Sequence, residues 1–164
     1  MRFRSFMPGD AEFCFHLRNQ AFIDLFREEL QPEGVAAAVN AYQPADYTRM
    51  AGQGSLFIVE QKGRRAGFFY LKRIETAVAE LCLIYIDPRL HGQGLGSGCI
   101  EFIDRWVSSH WKAVSTLIVD TVIPGYNAQF YQKVGFVPLQ HTVCNLSGMP
   151  VKALRLSKQV LPSS

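Results

Sequence analysis

The chain has 164 residues, 48% of them hydrophobic and 19% charged, enough apolar side chain for one full core and too much for a disordered segment. Its net charge of +3 suits an anionic ligand, but no run of basic residues marks a nucleic-acid-binding arm, so no nucleic-acid partner is expected. No apolar stretch approaches the roughly 18 residues of a membrane span, and Met1-Arg2-Phe3-Arg4 opens no signal-type apolar segment, so the expected setting is the cytoplasm, away from membrane.

Residues 2 to 6 read as a first strand, and Met7-Pro8-Gly9-Asp10 as a turn whose Asp10 is placed to cap the next helix. Phe13, Leu17, Ala21 and Leu25 recur every four residues and predict one face of a helix running to about Glu29. Pro32 opens a second helical piece through Val35 and Val39; Pro44 to Gly52 is a third, carrying Asp46, Tyr47 and Met50. Strands follow at Ser55 to Gln61, Ala66 to Ile74 and Val78 to Ile86, joined by turns at Lys62-Gly63-Arg64-Arg65 and Glu75-Thr76-Ala77. A helix from Gly96 to about His110 turns Ile100, Ile103 and Val107 inward. Ser115 to Val122 is a strand, and Pro124 to Val134 a helix stopped by Gly135. Strands near Phe136 to Leu146 and Val151 to Leu156 flank a Ser147-Gly148-Met149-Pro150 turn. This order predicts an α+β fold, a mixed and mostly antiparallel central sheet of six to seven strands with helices on both faces. It makes one domain of residues 1–160, with 161–164 as a short tail.

Cys14, Cys82, Cys99 and Cys144 have no paired spacing and lie in or beside apolar runs, as reduced core thiols do. His16, His110 and His141 lack partners at metal-ligand spacing, so no metal site is expected.

The densest signal is Asp87-Pro88-Arg89-Leu90-His91-Gly92-Gln93-Gly94-Leu95-Gly96-Ser97-Gly98, between the strand ending at Ile86 and the helix that follows. Glycines admit positive φ and close approach to a ligand. Successive N–H groups in such a turn converge on an anion, and the helix start adds unpaired donors and a positive dipole end. A pyrophosphate is the expected guest.

Such turns serve several nucleotide folds. A dinucleotide fingerprint follows the opening strand of a βαβ unit, whereas this turn follows an antiparallel meander; a Walker A loop ends in Gly-Lys-Ser/Thr, absent here. A second motif, Asn127-Ala128-Gln129-Phe130-Tyr131-Gln132-Lys133-Val134-Gly135-Phe136, lies about thirty residues on. Together the motifs and element order resemble the GNAT-type N-acetyltransferase superfamily. His91-Gly92-Gln93-Gly94-Leu95-Gly96 matches its Arg/Gln-x-x-Gly-x-Gly/Ala acyl-CoA loop, and Tyr131-Gln132-Lys133-Val134-Gly135-Phe136 its Tyr-x-Lys-x-Gly-Phe signature. The chain departs at His91, where the family usually has Arg or Gln, and at Pro124, where it often has Asn; Asn127 falls where it often has Ala.

The resemblance implies acetyl-CoA as cofactor, with the backbone of Ile84, Tyr85 and Ile86 pairing the pantetheine arm. His91, Gly92, Gln93, Gly94, Leu95, Gly96 and Ser97 would hold the pyrophosphate, and Asn127 would lie against the cofactor. Tyr131 matches the family's general acid. Glu80, seven residues before Asp87, matches the general base of the histone-modifying branch; Asp120 and a water chain are alternatives. Alternation places Glu80 on one face with Cys82, Ile84 and Ile86 if no bulge intervenes. The implied reaction is acetyl transfer to a primary amine of a small molecule or peptide by direct attack in a ternary complex. The alternative is a catalytically silent acyl-CoA-binding module. The region of Phe26, Tyr42 and Tyr47 would wall the acceptor pocket, with Glu28, Glu29 and Glu33 near its mouth. A homodimer is possible on the same grounds.

Overall fold

Prolines at helix starts and glycine-bearing hairpin turns cut the chain into short elements. A computed structural model describes residues 1–25, 31–122 and 126–161. In chain order these form β1 (Arg2–Ser5), α1 (Ala11–Leu25), α2 (Pro32–Asn40), α3 (Pro44–Gln53), β2 (Ser55–Gln61), β3 (Arg64–Arg73), β4 (Val78–Ile86), α4 (Leu95–His110), β5 (Thr116–Val122), α5 (Tyr126–Lys133), β6 (Val137–Leu146) and β7 (Met149–Gln159). The expected end of the first helix near Glu29, with Phe26, Glu28 and Glu29, lies outside the described residues, as do Pro124 and most of the 161–164 tail.

The strands form one open sheet in the order β1-β2-β3-β4-β5-β7-β6, antiparallel except for the β4–β5 pair. Two of the three expected strand-joining turns contract to two residues, Lys62-Gly63 and Ser147-Gly148, all with positive φ. That conformation follows the twist of the flanking strands and favours glycine at the second position. Strand β7 is longer than its apolar pattern suggests because it is paired on both sides, with β5 up to Gln159 and with β6. Asp10 does not take the simple capping role expected of it. Its buried carboxylate accepts from Arg4 Nη1 and Nη2 at 2.8 and 2.9 Å and from the Met7 N–H at 2.9 Å. The Arg4 guanidinium holds this carboxyl below the usual carboxylate range.

Period-two alternation divides the core between the two faces. Phe57, Val59, Phe69, Leu71, Leu117 and Leu156 pack toward Ile100, Ile103 and Val107 of α4. Leu56, Ile58, Phe68 and Tyr70 pack on the other face with Cys14 of α1 and Tyr47 of α3. A smaller cluster joins Phe22 and Ala38 to Leu146 and Val151 of the β6–β7 hairpin. Among the described residues no helix is long and apolar enough to cross a membrane.

Two irregularities of β4 break the regularity of the sheet at its centre. Tyr70 stands opposite Leu83 and Leu71 opposite Leu81, so Cys82 is an inserted bulge residue. In addition, β4 pairs with β5 only through Val78–Thr116, Ala79–Leu117 and Glu80–Ile118. Beyond Glu80 the two strands part, and β5 continues with β7 alone.

Candidate active site

Where β4 and β5 part, a cleft of about 240 Å³ opens. Ile84, Tyr85 and Ile86 line it from β4; Leu90, His91, Gly92, Gly94, Leu95, Gly96 and Ser97 from the turn and α4; Asn127, Phe130 and Tyr131 from α5. The two sequence motifs thus meet across one space, although Gln93 turns instead toward a second hollow shared with Arg64, Arg65 and Arg89.

The turn is shaped for an anion. Gly92 and Gly94 have φ of 81° and 78°, and a Cβ on either would enter open space. Among the described residues the N–H groups of Gly92, Gln93, Gly94, Leu95, Gly96 and Ser97 have no intramolecular acceptor, the ladder of α4 beginning with Gly98 N–H on the Gly94 carbonyl at 3.0 Å. Six donors at the positive end of a helix are what a diphosphate requires. On the strand side, the β5-facing backbone edge beyond Glu80 has no strand partner among the described residues, so an extended arm fits there by strand addition. These residues therefore fit coenzyme A. The His91 ring donates from Nε2 to the Ile86 carbonyl oxygen at 3.1 Å. It ties the turn to the strand end and occupies one of the backbone acceptors expected to face the cofactor.

Tyr131 is buried against Phe130 and Phe136, with ring centroids 5.2 and 5.6 Å away. Burial, with the Tyr85 phenol nearby, pushes its hydroxyl well above the ordinary phenol value, so it keeps its proton at neutral pH.

Glu80 does not share a face with Ile84 and Ile86. The bulge at Cys82 shifts the alternation by one residue, leaving Ala79, Leu81, Ile84 and Ile86 on the α4 side and Cys82, Leu83 and Tyr85 on the α1 side. Glu80 does not line the cleft; its Oε2 accepts from the Cys82 thiol at 2.9 Å. Asp120 on β5 is held two-pronged by Arg155 of β7, at 2.8 and 2.9 Å. Burial pushes the Cys14 and Cys99 thiols up to about 12 and raises those of Cys82 and Cys144. No group of three or more His, Cys, Asp or Glu among the described residues is placed to hold a metal.

Sequence reasoning missed Ala21, Leu90 and Phe130 as cleft residues. Gly96 was the available signal for Phe130, since a glycine at a helix start implies a close neighbour. Nothing in the chain marks Ala21 apart from its place on the buried face of α1.

Residues 52–138 match the family model described as an acetyltransferase (GNAT) domain. No curated protein matches. Among solved structures, the chain resembles a GCN5-related N-acetyltransferase from Rhodopseudomonas palustris at 20% identity, covering 96% of this chain and 94% of that one, with a TM-score of 0.83. It also resembles the PaiA N-acetyltransferase of Thermoplasma acidophilum in complex with coenzyme A (15%, 96% and 98%, TM-score 0.76). A third likeness is the ribosomal-protein-S18-alanine N-acetyltransferase of Escherichia coli (16%, 99% and 96%, TM-score 0.70). At these identities the likeness concerns the fold.

Proposed function

We propose, for a chain that belongs to the GNAT acetyltransferase family and is thereby an acetyl-CoA-dependent acyltransferase, transfer of the acetyl group to a primary amine of a small molecule or peptide by direct attack in a ternary complex. The observation that carries this reading is the parted β4–β5 seam, which runs from six unpaired N–H groups to the Tyr131 hydroxyl.

Bound acetyl-CoA supplies an activated thioester. Gly92 to Ser97 would hold the diphosphate and the β5-facing edge of β4 would align the arm, which lowers the entropy cost of bringing amine and acyl carbon together. Tyr131, which keeps its proton at neutral pH, would donate it from Oη to the leaving thiolate. An alkylammonium with pKa near ~10.4 must lose a proton before it can attack. Glu80, on the face opposite α4, takes that proton; Asp120 is the weaker candidate because Arg155 engages both its oxygens. With every thiol pushed toward its protonated form, no cysteine offers the thiolate an acyl-enzyme route needs. On β6, the outermost strand, Val137, Leu139 and Val143 are exposed, and this supports a homodimer.

The test is a melting curve with acetyl-CoA followed by an amine panel read by CoA release. Acetyl-CoA raises Tm, and Gly94→Asp, which sets a carboxylate against the diphosphate, abolishes the rise. No rise at millimolar acetyl-CoA overturns the proposal; a rise without turnover of any amine points to the silent binding module.

A further inference from the structure

Arg18 of α1 is 2% exposed and forms no ion pair with a described carboxylate. Its guanidinium carbon lies 4.6 Å from the ring centroids of both Phe22 and Tyr42, between two aromatic faces. Nη1 donates to the Ala38 carbonyl oxygen at 2.6 Å, while Nε is buried with no partner among the described residues. A guanidinium stays charged in any protein setting, and a buried charge without a counterion is among the costliest things a core can hold. The two rings offset part of that cost. A residue needed only to fill this space would be apolar.

The position of Arg18 says what the charge faces. It lies one helical turn before Ala21, which lines the cleft, and hydrogen-bonds the Tyr85 side chain, which lines the cleft from β4. The diphosphate cradle is at the start of α4, on the opposite face of the sheet. Arg18 therefore stands behind the cleft wall on the side left for the acceptor. Tyr42, half-buried on the link between α2 and α3, forms the outer face of its box.

We propose that Arg18 receives a carboxylate of the acceptor, and that the acceptors are amines of amino-acid size bearing a free carboxylate. This rests on the acetyl-transfer reading. The Nε–H, the guanidinium donor left unpartnered among the described residues, is the one offered to the carboxylate, a charge-assisted hydrogen bond. The chain thus contributes a cation for the substrate's carboxylate, and the substrate completes a charge pair that the described residues leave half made.

The experiment compares L-amino acids with their amides and with the corresponding decarboxylated amines, by CoA release with the unaltered protein. The free acids are expected to exceed the amides in kcat/KM by roughly 10- to 100-fold, as loss of a charge-assisted contact to a buried group predicts. Arg18→Gln brings the ratio near one, and Arg18→Lys restores part of it. In melting curves with CoA present, an accepted amino acid raises Tm further, and Arg18→Gln removes that increment while keeping the rise due to acetyl-CoA. Should Arg18→Gln fail to fold, the acid-to-amide ratio of the unaltered protein decides alone. Amides or plain amines used as well as the acids, or acetyl-CoA binding with no acid turned over, overturns the inference and leaves cofactor binding standing. Absence of any acetyl-CoA effect on Tm fails the acetyl-transfer reading itself.

Discussion

The ring of Phe130 occupies the space a side chain on Gly96 would need: a Cβ at Gly96 would stand 2.7 Å from Phe130 Cε1. The contact joins the start of α4 to α5, and so joins the diphosphate cradle to the helix that carries Tyr131. Gly96→Ala is expected to lower unfolding free energy by about 1–3 kcal/mol, as overpacking does. Adding Phe130→Leu should recover much of that loss. Urea titrations of the two single variants and the double variant check it, and simple additivity would show that the ring is not the obstacle.

Tyr131→Phe keeps the ring packing and removes the proton donor. The expected result is a fall in kcat of roughly 10²- to 10⁴-fold with little change in the acetyl-CoA-induced Tm rise. An unchanged kcat would reduce Tyr131 to a core residue of α5.

Glu80→Gln should depress kcat/KM by the same order, roughly 10²-fold or more, and steepen its rise with pH, because the amine must then reach the site already deprotonated. Asp120→Asn should act mainly by releasing Arg155, and so appear in stability before rate. If Glu80→Gln leaves the profile intact, the proton leaves through water.

Alkaline pH should destabilise the protein early. The thiols of Cys14, Cys82 and Cys99 and the phenols of Tyr47, Tyr85 and Tyr131 all titrate above their ordinary values of 9.0 and 10.0 in the folded state, because burial disfavours their charged forms. In this range the unfolded chain binds fewer protons than the native one, so stability falls as pH rises. The contribution is complete below pH 9, starts to be lost there with the thiols, and is lost faster above pH 10 with the phenols. Tyr47 offers a control, because its hydroxyl is buried without a partner among the described residues. Tyr47→Phe should raise stability by about 1 kcal/mol and flatten the decline above pH 10. A loss of stability instead would mean that the hydroxyl is satisfied by water.

Most of this architecture was legible in the chain. The two motifs carry their own geometry, in Gly92 and Gly94 at positive φ and in Gly135 past the end of α5 with φ of 103°. The bulge was not legible. Leu81-Cys82-Leu83-Ile84-Tyr85-Ile86 is apolar throughout, so its pattern does not record the change of phase at Cys82. The face assigned to Glu80 therefore came out wrong relative to Ile84. Asp10 was misread for a different reason. A carboxylate before a helix reads locally as a cap, but Arg4 and Arg65 reach it from β1 and β3, and only the tertiary fold brings them there. Arg18 reads in the sequence as one more charge on a helix, because its burial depends on Phe22, Ala38 and Tyr42 closing around it.

With only three residue pairs along the β4–β5 seam, the sheet behaves as two blades riveted at one end. Four strands belong to the blade that carries the glycine turn and three to the one that carries the Asp120–Arg155 pair. A molecule that threads the gap splints those blades together, so a donor's presence should register as a loss of breathing in strands it never touches.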